Sequence, residues 1–380
     1  IKLIKGKESS LQRFHPWIFS GAIHTNTSTF EEGELMRVLS SNGQFLAMAY
    51  YCNSSITGRV LSFSDVEINQ DFWNEKISKA ISYRRNIGFF ETKGYNACRL
   101  INGEGDGLPG LIVDFYNGII VIQFHNSAIS LFSDPIIEAF QFSLGRSLKG
   151  QIIRKIADDN EQKSASGEKV IIEENGIKFC VDLVKGQKTG FFLDQRNNRK
   201  LLGSLSKDKK VLNTFCYTGG FSLYAMEGGA REVVSIDYSQ SAIQLLKENI
   251  HLNSFDNCAH EEVTGDALHY LQTIPDDFDI IILDPPAFAK NLKARHNAVQ
   301  AYKRINKMAF SKIKSGGIIF TFSCSQVVDI ELFQKTIFSA AIEAGRNVRI
   351  MQQLGAGEDH PVSIFHPEGK YLKGLVLYVE

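Results

Sequence analysis

Hydrophobic and polar positions change rhythm twice along the chain. Up to about residue 68, the short apolar runs LMRVLS, FLAMAYY and ITGRVLSF alternate with turn signals, and Asn42-Gly43 between two of them predicts a hairpin. This part reads as a small β barrel. Asp71 stands where an N-cap would, and Phe72, Trp73, Ile77, Ala80, Ile81 and Arg84 then recur at helical spacing, predicting a helix that connects two domains. Between about 95 and 185, ACRLIN, LIVDFY, IIVIQF, GQIIRKI, VIIEE and IKFCVDL predict strands, with Asn117-Gly118 and Asn175-Gly176 as turns and a helical stretch near 127–144. The pattern is α+β. The glycine-rich GEGDGLPG lies between two of these strands and no helix opens after it, so it reads as a long hairpin turn rather than a phosphate loop.

In the last 190 or so residues strand and helix alternate: KVLNTFCYTGG, a helix through FSLYAME, REVVSIDY, a helix through SAIQLLKENIHLN, FDIIILDPP, a basic helix near 297–313, and GGIIFTFSCS. Apolar strands separated by helices predict a mostly parallel α/β sheet, and the terminal GKYLKGLVLYVE predicts a strand closing its edge. The expected organisation is multidomain α/β: residues 1–68 a barrel, 69–185 an α+β middle domain, and 186–380 the α/β domain.

Composition adds little until it is read locally. Forty-two Lys and Arg balance forty-two Asp and Glu, so bulk charge announces no nucleic-acid partner. Yet His251–Asp284 carries eight acids and no Lys or Arg, while Pro285–Val328 carries eight Lys or Arg and no acid. No apolar run approaches the roughly 20 residues of a membrane helix and the start lacks a signal-peptide core, which predicts a cytoplasmic protein with no membrane partner. The six cysteines, Cys52, Cys98, Cys180, Cys216, Cys258 and Cys324, form no CxxC pair and match no His spacing suited to zinc. They are expected as reduced thiols, without a metal.

In open α/β sheets ligands bind beyond the carboxyl ends of the strands. Here the first such turn is Asn213–Phe221, whose Gly219 and Gly220 admit a ligand close to the backbone, but GxGxxG is absent, which argues against a dinucleotide. Asp237 ends the second strand, placed to accept from two ribose hydroxyls. Asp266 follows the third, placed to accept from an adenine amino group. A glycine turn and two such acids without pyrophosphate chemistry point to adenosine attached to something else, and S-adenosylmethionine fits. FDIIILDPPAF puts Asp284 at the end of a buried strand before the rigid Pro285-Pro286 turn, suited to an extruded base. GGIIFTFSCSQ puts Cys324 just beyond another strand, flanked by hydroxyls, so that Asp284 and Cys324 converge near the methyl donor.

With these residues in view, the chain resembles the bacterial large-subunit ribosomal RNA cytosine-C5 methyltransferases that carry an N-terminal PUA domain. FHPWIFSGAI resembles the family's PUA opening and RLINGEGDGLPGLIVDFYNG its middle-domain hairpin. GQKTGFFLDQRNNR, NTFCYTGGFSLYA, DPPAF, SCS and HPEGKYLKGL resemble its methyltransferase signatures. The resemblance implies a PUA-like RNA-binding domain, a Rossmann-like class I methyltransferase domain and a ribosomal RNA substrate. It implies a cofactor pocket lined by Thr189, Phe192, Asp194 and Arg196 with Phe215, Tyr217, Thr218 and Gly219, completed by Asp237, Asp266, Asp284 and Pro285. Cys324 matches the nucleophile position, and Asp284 is the catalytic residue expected to bind the ring nitrogen or amino group and favour the charge shift. Ala287 and Phe288 stand where many cytosine-C5 RNA methyltransferases carry a second cysteine, so no second thiol is assigned. Asn213 stands where many methyltransferases have an acid.

Lys290, Lys293, Arg295, Lys303, Arg304, Lys307, Lys312 and Lys314 lie between the two catalytic strands and read as an RNA-phosphate surface, with Lys303 and Lys307 also fitting a solvated helix face. Two other readings stay open: an exocyclic-amine RNA methyltransferase using the aromatic after DPP, and a non-catalytic RNA-binding or assembly factor. His15, His360 and His366 read as structural or surface residues.

Overall fold

A computed structural model describes residues 1–24, 30–90, 94–145, 148, 152–156, 168–255, 258–289 and 291–380. The chain divides into two compact units. The first comprises Ile1–Ile172, Val181–Leu193 and Glu358–Gly369, the second Glu173–Cys180, Asp194–Gly357 and Lys370–Glu380.

In the first unit a short helix α1 (Ser9–Gln12) precedes β1 (Trp17–Phe19), β2 (Leu35–Leu39), β3 (Phe45–Tyr51) and β4 (Ile56–Ser62), which pair antiparallel in the order β1-β4-β3-β2. The expected Asn-Gly turn joins β2 to β3, with Gly43 at φ 85°. Helix α2 (Gln70–Asn86) buries Trp73, Ile77, Ala80, Ile81 and Arg84, as their spacing predicts. Its N-cap is Asn69, whose side chain accepts from the Phe72 amide, and not Asp71, which sits in the first turn. Asn at this position makes the same bond as Asp, so the start was legible and its register was not. A second sheet, β5 (Ala97–Asn102), β6 (Leu111–Tyr116), β7 (Ile119–Phe124) and β8 (Ile152–Ile156), carries α3 (Ser127–Ser130) and α4 (Ser133–Leu144) after β7. Trp73, Ile77, Leu100, Val113, Ile122 and Phe140 share its apolar core.

GEGDGLPG is the β5–β6 turn, and its polar groups are consumed within the unit. Arg84 binds Asp106 through both terminal nitrogens, Glu104 accepts from Trp17 Nε1 at 2.7 Å and Arg59 Nη1 at 3.1 Å, and a Cβ on Gly105 would meet the Pro361 carbonyl oxygen at 1.9 Å. The glycine is there for that approach.

A separate pair, β9 (Lys169–Glu174) and β10 (Ile177–Asp182), turns at Asn175-Gly176. The second unit contains α5 (Arg196–Leu205), β11 (Lys210–Thr214), α6 (Gly220–Glu227), β12 (Glu232–Asp237), α7 (Gln240–Leu252), β13 (Ala259–Thr264) and α8 (Ala267–Thr273). There follow β14 (Phe278–Leu283), α9 (Arg295–Lys312), β15 (Ile313–Ser323), α10 (Ile330–Glu343), β16 (Val348–Leu354) and β17 (Lys373–Val379). The sheet order is β13-β12-β11-β14-β15-β17-β16, with the first five strands parallel and β17 antiparallel to both neighbours. This is a Rossmann-like arrangement.

The terminal strand does not close the edge. β17 lies between β15 and β16, and β16 is the edge. Burial explains the order: KGLVLYV is buried on both faces, as an interior strand must be, while most of VRIMQQL is exposed.

Candidate functional site

The strand order reverses between β11 and β14, so a ligand is expected outside their carboxyl ends. After β11 the backbone takes positive φ at Phe215 (55°), Tyr217 (49°) and Gly219 (85°), the first two at a cost only surrounding structure can hold. Asp237, at the end of β12, holds them: its Oδ2 accepts the Tyr217 amide at 2.9 Å and its Oδ1 the Ser239 amide at 2.9 Å. The Cys216 amide donates to the Ile236 carbonyl at 2.9 Å, and Thr214 Oγ1 donates to the Ile282 carbonyl at 2.6 Å, tying the turn to both neighbouring strands. A Cβ on Gly219 would lie 2.1 Å from Leu246 Cδ1.

Two polar atoms in this region are buried without a hydrogen bond, Thr218 Oγ1 and Asn213 Oδ1. Buried polar groups are seldom left so, and orphans at a strand-end turn mark where a ligand supplies partners. Asp266 caps α8, its Oδ1 accepting the His269 amide at 2.8 Å, and the adjacent Gly265 amide donates to the Asp237 carbonyl at 3.0 Å. The donor set fits S-adenosylmethionine: Asp237 retains acceptor capacity for ribose, Asp266 keeps a second oxygen, and Thr218 offers a hydroxyl.

Asp284, directly after β14, is half-buried, and its Oδ2 accepts from Gln195 Nε2 at 3.0 Å. Gln195 in turn accepts from Asn198, whose amide also reaches the Gly355 carbonyl at 3.0 Å. Cys324, the residue after β15, is half-buried with Sγ 3.9 Å from the Pro285 carbonyl oxygen. The two loops are tied a second time by the Ala289 amide to Ser325 Oγ at 3.3 Å, which Tyr302 Oη also approaches at 3.2 Å. Phe215, Tyr217, Thr218, Gly219, Asp237, Asp266, Asp284, Pro285 and Cys324 thus gather along one end of one sheet.

The other four expected residues make contacts of their own. Thr189 and Phe192 belong to the first unit. Thr189 is fully buried there, its hydroxyl bonded to Asp114 and, at 2.8 Å, to Tyr116, while Lys188 Nζ stands 4.4 Å above the Phe192 ring. Asp194 accepts from Tyr371 Oη at 2.6 Å, and Arg196 sends Nε to Glu174 at 3.1 Å beside the Arg199–Glu174 pair.

The sequence reading missed Gln195, Tyr302 and Lys373. Lys373 is 3 % exposed, and its Nζ donates to the Ser325 carbonyl at 2.7 Å; burial lowers its pKa to about 8, opposed by the charges of Cys324 and Asp329. A lysine inside an apolar interior strand was the available signal, since lysine is almost never fully buried without reason.

The basic block changes meaning in space. Lys303 and Lys307 both reach Glu343, Lys312 pairs with Asp276 and Lys314 with Asp279, so the acidic and basic stretches partly neutralise each other. Lys290 lies outside the described residues. Lys293, Arg295 and Arg304 are exposed without an ion pair among the described residues. In the first unit His360 Nδ1 meets Asp359 at 2.9 Å, and His366 is buried with its ring 4.4 Å from that of Trp17 and neither ring nitrogen hydrogen-bonded. His15 Nδ1 accepts the Trp17 amide at 3.2 Å, and its Nε2 lies 3.5 Å from Glu368. None of the six cysteines forms a disulfide. Among the described residues no helix is long and apolar enough to cross a membrane.

Comparison with known proteins agrees with this geometry. Residues 131–345 match the family model of S-adenosylmethionine-dependent methyltransferases and residues 1–63 that of the PUA-like domain. The chain is 40% identical over 394 residues to ribosomal RNA large subunit methyltransferase I of Vibrio vulnificus, covering 100% of this chain and 99% of the relative. It is 38% identical over 398 residues to the protein of the same name from Shewanella denitrificans, with 100% and 99% covered. Among solved structures, SMU.776, described as a candidate methyltransferase and complexed with SAH, superposes with a TM-score of 0.86 at 25% identity over 100% of both chains.

Proposed function

The chain belongs to the family of S-adenosylmethionine-dependent methyltransferases that includes the ribosomal RNA large subunit methyltransferases I, and from that premise we propose that it methylates carbon 5 of a cytosine in large-subunit ribosomal RNA through a covalent adduct at Cys324. The observation that carries the reading is the meeting of two strand ends. Cys324, half-buried, stands 3.9 Å from the carbonyl of Pro285, the residue after Asp284.

Carbon 5 of cytosine is a poor nucleophile. Addition of the Cys324 thiolate to carbon 6 forms a carbon–sulfur bond and leaves an enamine with its electron density on carbon 5. Asp284, oriented by Gln195, binds the ring nitrogen and amino edge and favours this shift of charge. When bound, S-adenosylmethionine supplies the electrophilic methyl group that the activated carbon takes up. Loss of the carbon-5 proton then drives the electron pair back, the carbon–sulfur bond breaks, and Cys324 leaves as thiolate. The net change on the base is one hydrogen replaced by one methyl, with one proton released.

The rival reading, methylation of an exocyclic amine, needs the aromatic after DPP to stack on the base. Phe288 instead packs edge-on to Tyr302 with centroids 4.8 Å apart, which supports the thiol route. The test is methylation of unmodified large-subunit ribosomal RNA with wild type and Cys324→Ala, followed by nucleoside mass spectrometry. Formation of 5-methylcytidine by wild type alone is expected; a methylated amine, or full transfer by the alanine variant, overturns the proposal.

A further inference from the structure

The reaction account gives Lys373 no task, and its setting is expensive. It opens β17 opposite Ser323 in the antiparallel register, is 3 % exposed, and has the Ser325 carbonyl at 2.7 Å as its one hydrogen-bond acceptor among the described residues. A buried ammonium with one acceptor for three donors and no carboxylate in ion-pair contact is destabilising unless an anion appears beside it. The residue next to that carbonyl is Cys324. Among the described residues, Tyr302 on α9 and Lys373 on β17 interact electrostatically with the thiol, Asp329 at the N-terminus of α10 acts on Lys373, and Asp284 precedes Pro285, whose carbonyl oxygen lies 3.9 Å from Sγ. Burial raises Tyr302 above the ordinary tyrosine range, so it is a neutral hydroxyl. Asp284 and Asp329 oppose a thiolate. Among the described residues Lys373 is the cation that interacts with the thiol.

We propose that Lys373 is the counter-ion of a Cys324 thiolate, the thiol proton passing to solvent while the ammonium stays protonated beside the sulfur. Ser325 sets the geometry: its carbonyl holds Nζ, and its hydroxyl is held by the Ala289 amide and Tyr302. Lys373 is a positioning residue acting through Cys324, and its charge interaction with Cys324 runs in the sense a pair requires. The inference rests on the nucleophile reading for its purpose, but the charge pair is measured without RNA or methyl donor.

The experiment follows alkylation of Cys324 by iodoacetamide from pH 6 to 10, resolved from the other five cysteines by peptide mass spectrometry, in wild type, Lys373→Met and Lys373→Arg. Removing the charge should move the profile up by about one pH unit and slow alkylation about tenfold at pH 7, with the arginine variant close to wild type. An unchanged profile in the methionine variant, or an equal shift in both variants, overturns the pair. Should the methionine variant fail to fold, the reciprocal reading decides. In Cys324→Ala, removal of the thiolate must lower the pH at which Lys373 acylates, and an unmoved lysine profile overturns the proposal. Full methyl transfer by Cys324→Ala would remove the nucleophile reading and leave the alkylation result to stand or fall alone.

Discussion

Two cysteines follow strands of the same parallel sheet at the same end, and the sheet treats them oppositely. Cys216, two residues beyond β11, is 5 % exposed, and burial together with the neighbouring Asp237 pushes its thiol well above the ordinary range. Cys324, directly beyond β15, is half-buried, and the buried Lys373 donates to the carbonyl of the next residue, Ser325. Strand-end position is therefore not what makes a thiol reactive. Next to Cys216 the sheet has spent its charge on an acid that holds a strained turn for the cofactor; next to Cys324 it has spent a buried lysine. On the proposed mechanism the first is packing and the second is the nucleophile that meets the base.

The contrast is most easily broken by truncating both. Cys324→Ala should lower the methyl-transfer rate by at least about 10³-fold, whereas Cys216→Ala should stay within about twofold of wild type, measured with labelled S-adenosylmethionine on ribosomal RNA. Equal losses would mean the two positions are not distinct. Next in size, Asp284→Asn should cost about 10²-fold in kcat with little change in cofactor affinity. Asp237→Ala should do the reverse, weakening cofactor binding by about tenfold or more in calorimetry. If each variant moved both quantities alike, the division of the sheet end into a base side and a cofactor side would fail.

Lys373 makes a smaller and pH-dependent difference. Its folded pKa, about 8, lies below the value of 10.5 it has when exposed, so between these the unfolded chain binds more protons and stability rises with pH. Below pH 8 the full penalty for the buried charge is present. Lys373→Met should accordingly raise Tm by about 1 °C at pH 7, roughly what a 1 kcal/mol relief gives a chain of this size, and the gain should vanish above about pH 10.5 in pH-dependent thermal melts. A constant gain across that range would show that packing, not charge, was relieved. The smallest effect concerns RNA: Arg304→Ala should lower the salt slope of binding by about one, and Lys303→Ala by less, because Lys303 already answers Glu343.

Much of the fold was legible because its strands declare themselves. FDIIILDPP and GGIIFTFSCS are apolar on both faces and could only be interior parallel strands, and their ends carried Asp284 and Cys324 with them. What was not legible depends on contacts distant in sequence. β16, VRIMQQL, has an exposed edge pattern that periodicity does not separate from a loop, so GLVLYV was assigned the edge it does not occupy. The basic block read as an RNA-phosphate surface, but Lys312 and Lys314 close on Asp276 and Asp279, pairs that no one-dimensional count reveals. Lys373 lies 49 residues beyond Cys324 and reaches it only through the antiparallel register of β15 with β17. Gln195 was inside a quoted signature yet carried no chemistry of its own until Asp284 stood beside it.

The central claim, that Cys324 bonds to carbon 6 of a cytosine, is tested most directly by large-subunit ribosomal RNA bearing 5-fluorocytidine. Fluorine at carbon 5 cannot leave as a proton does, so after methyl transfer the elimination of the thiolate is blocked. Incubation with S-adenosylmethionine should trap a one-to-one protein–RNA complex stable to denaturation, with the nucleotide mass on the peptide containing Cys324. Methylation of the ordinary RNA with no trapped complex on the fluorinated one, or a complex at any other residue, would contradict the account.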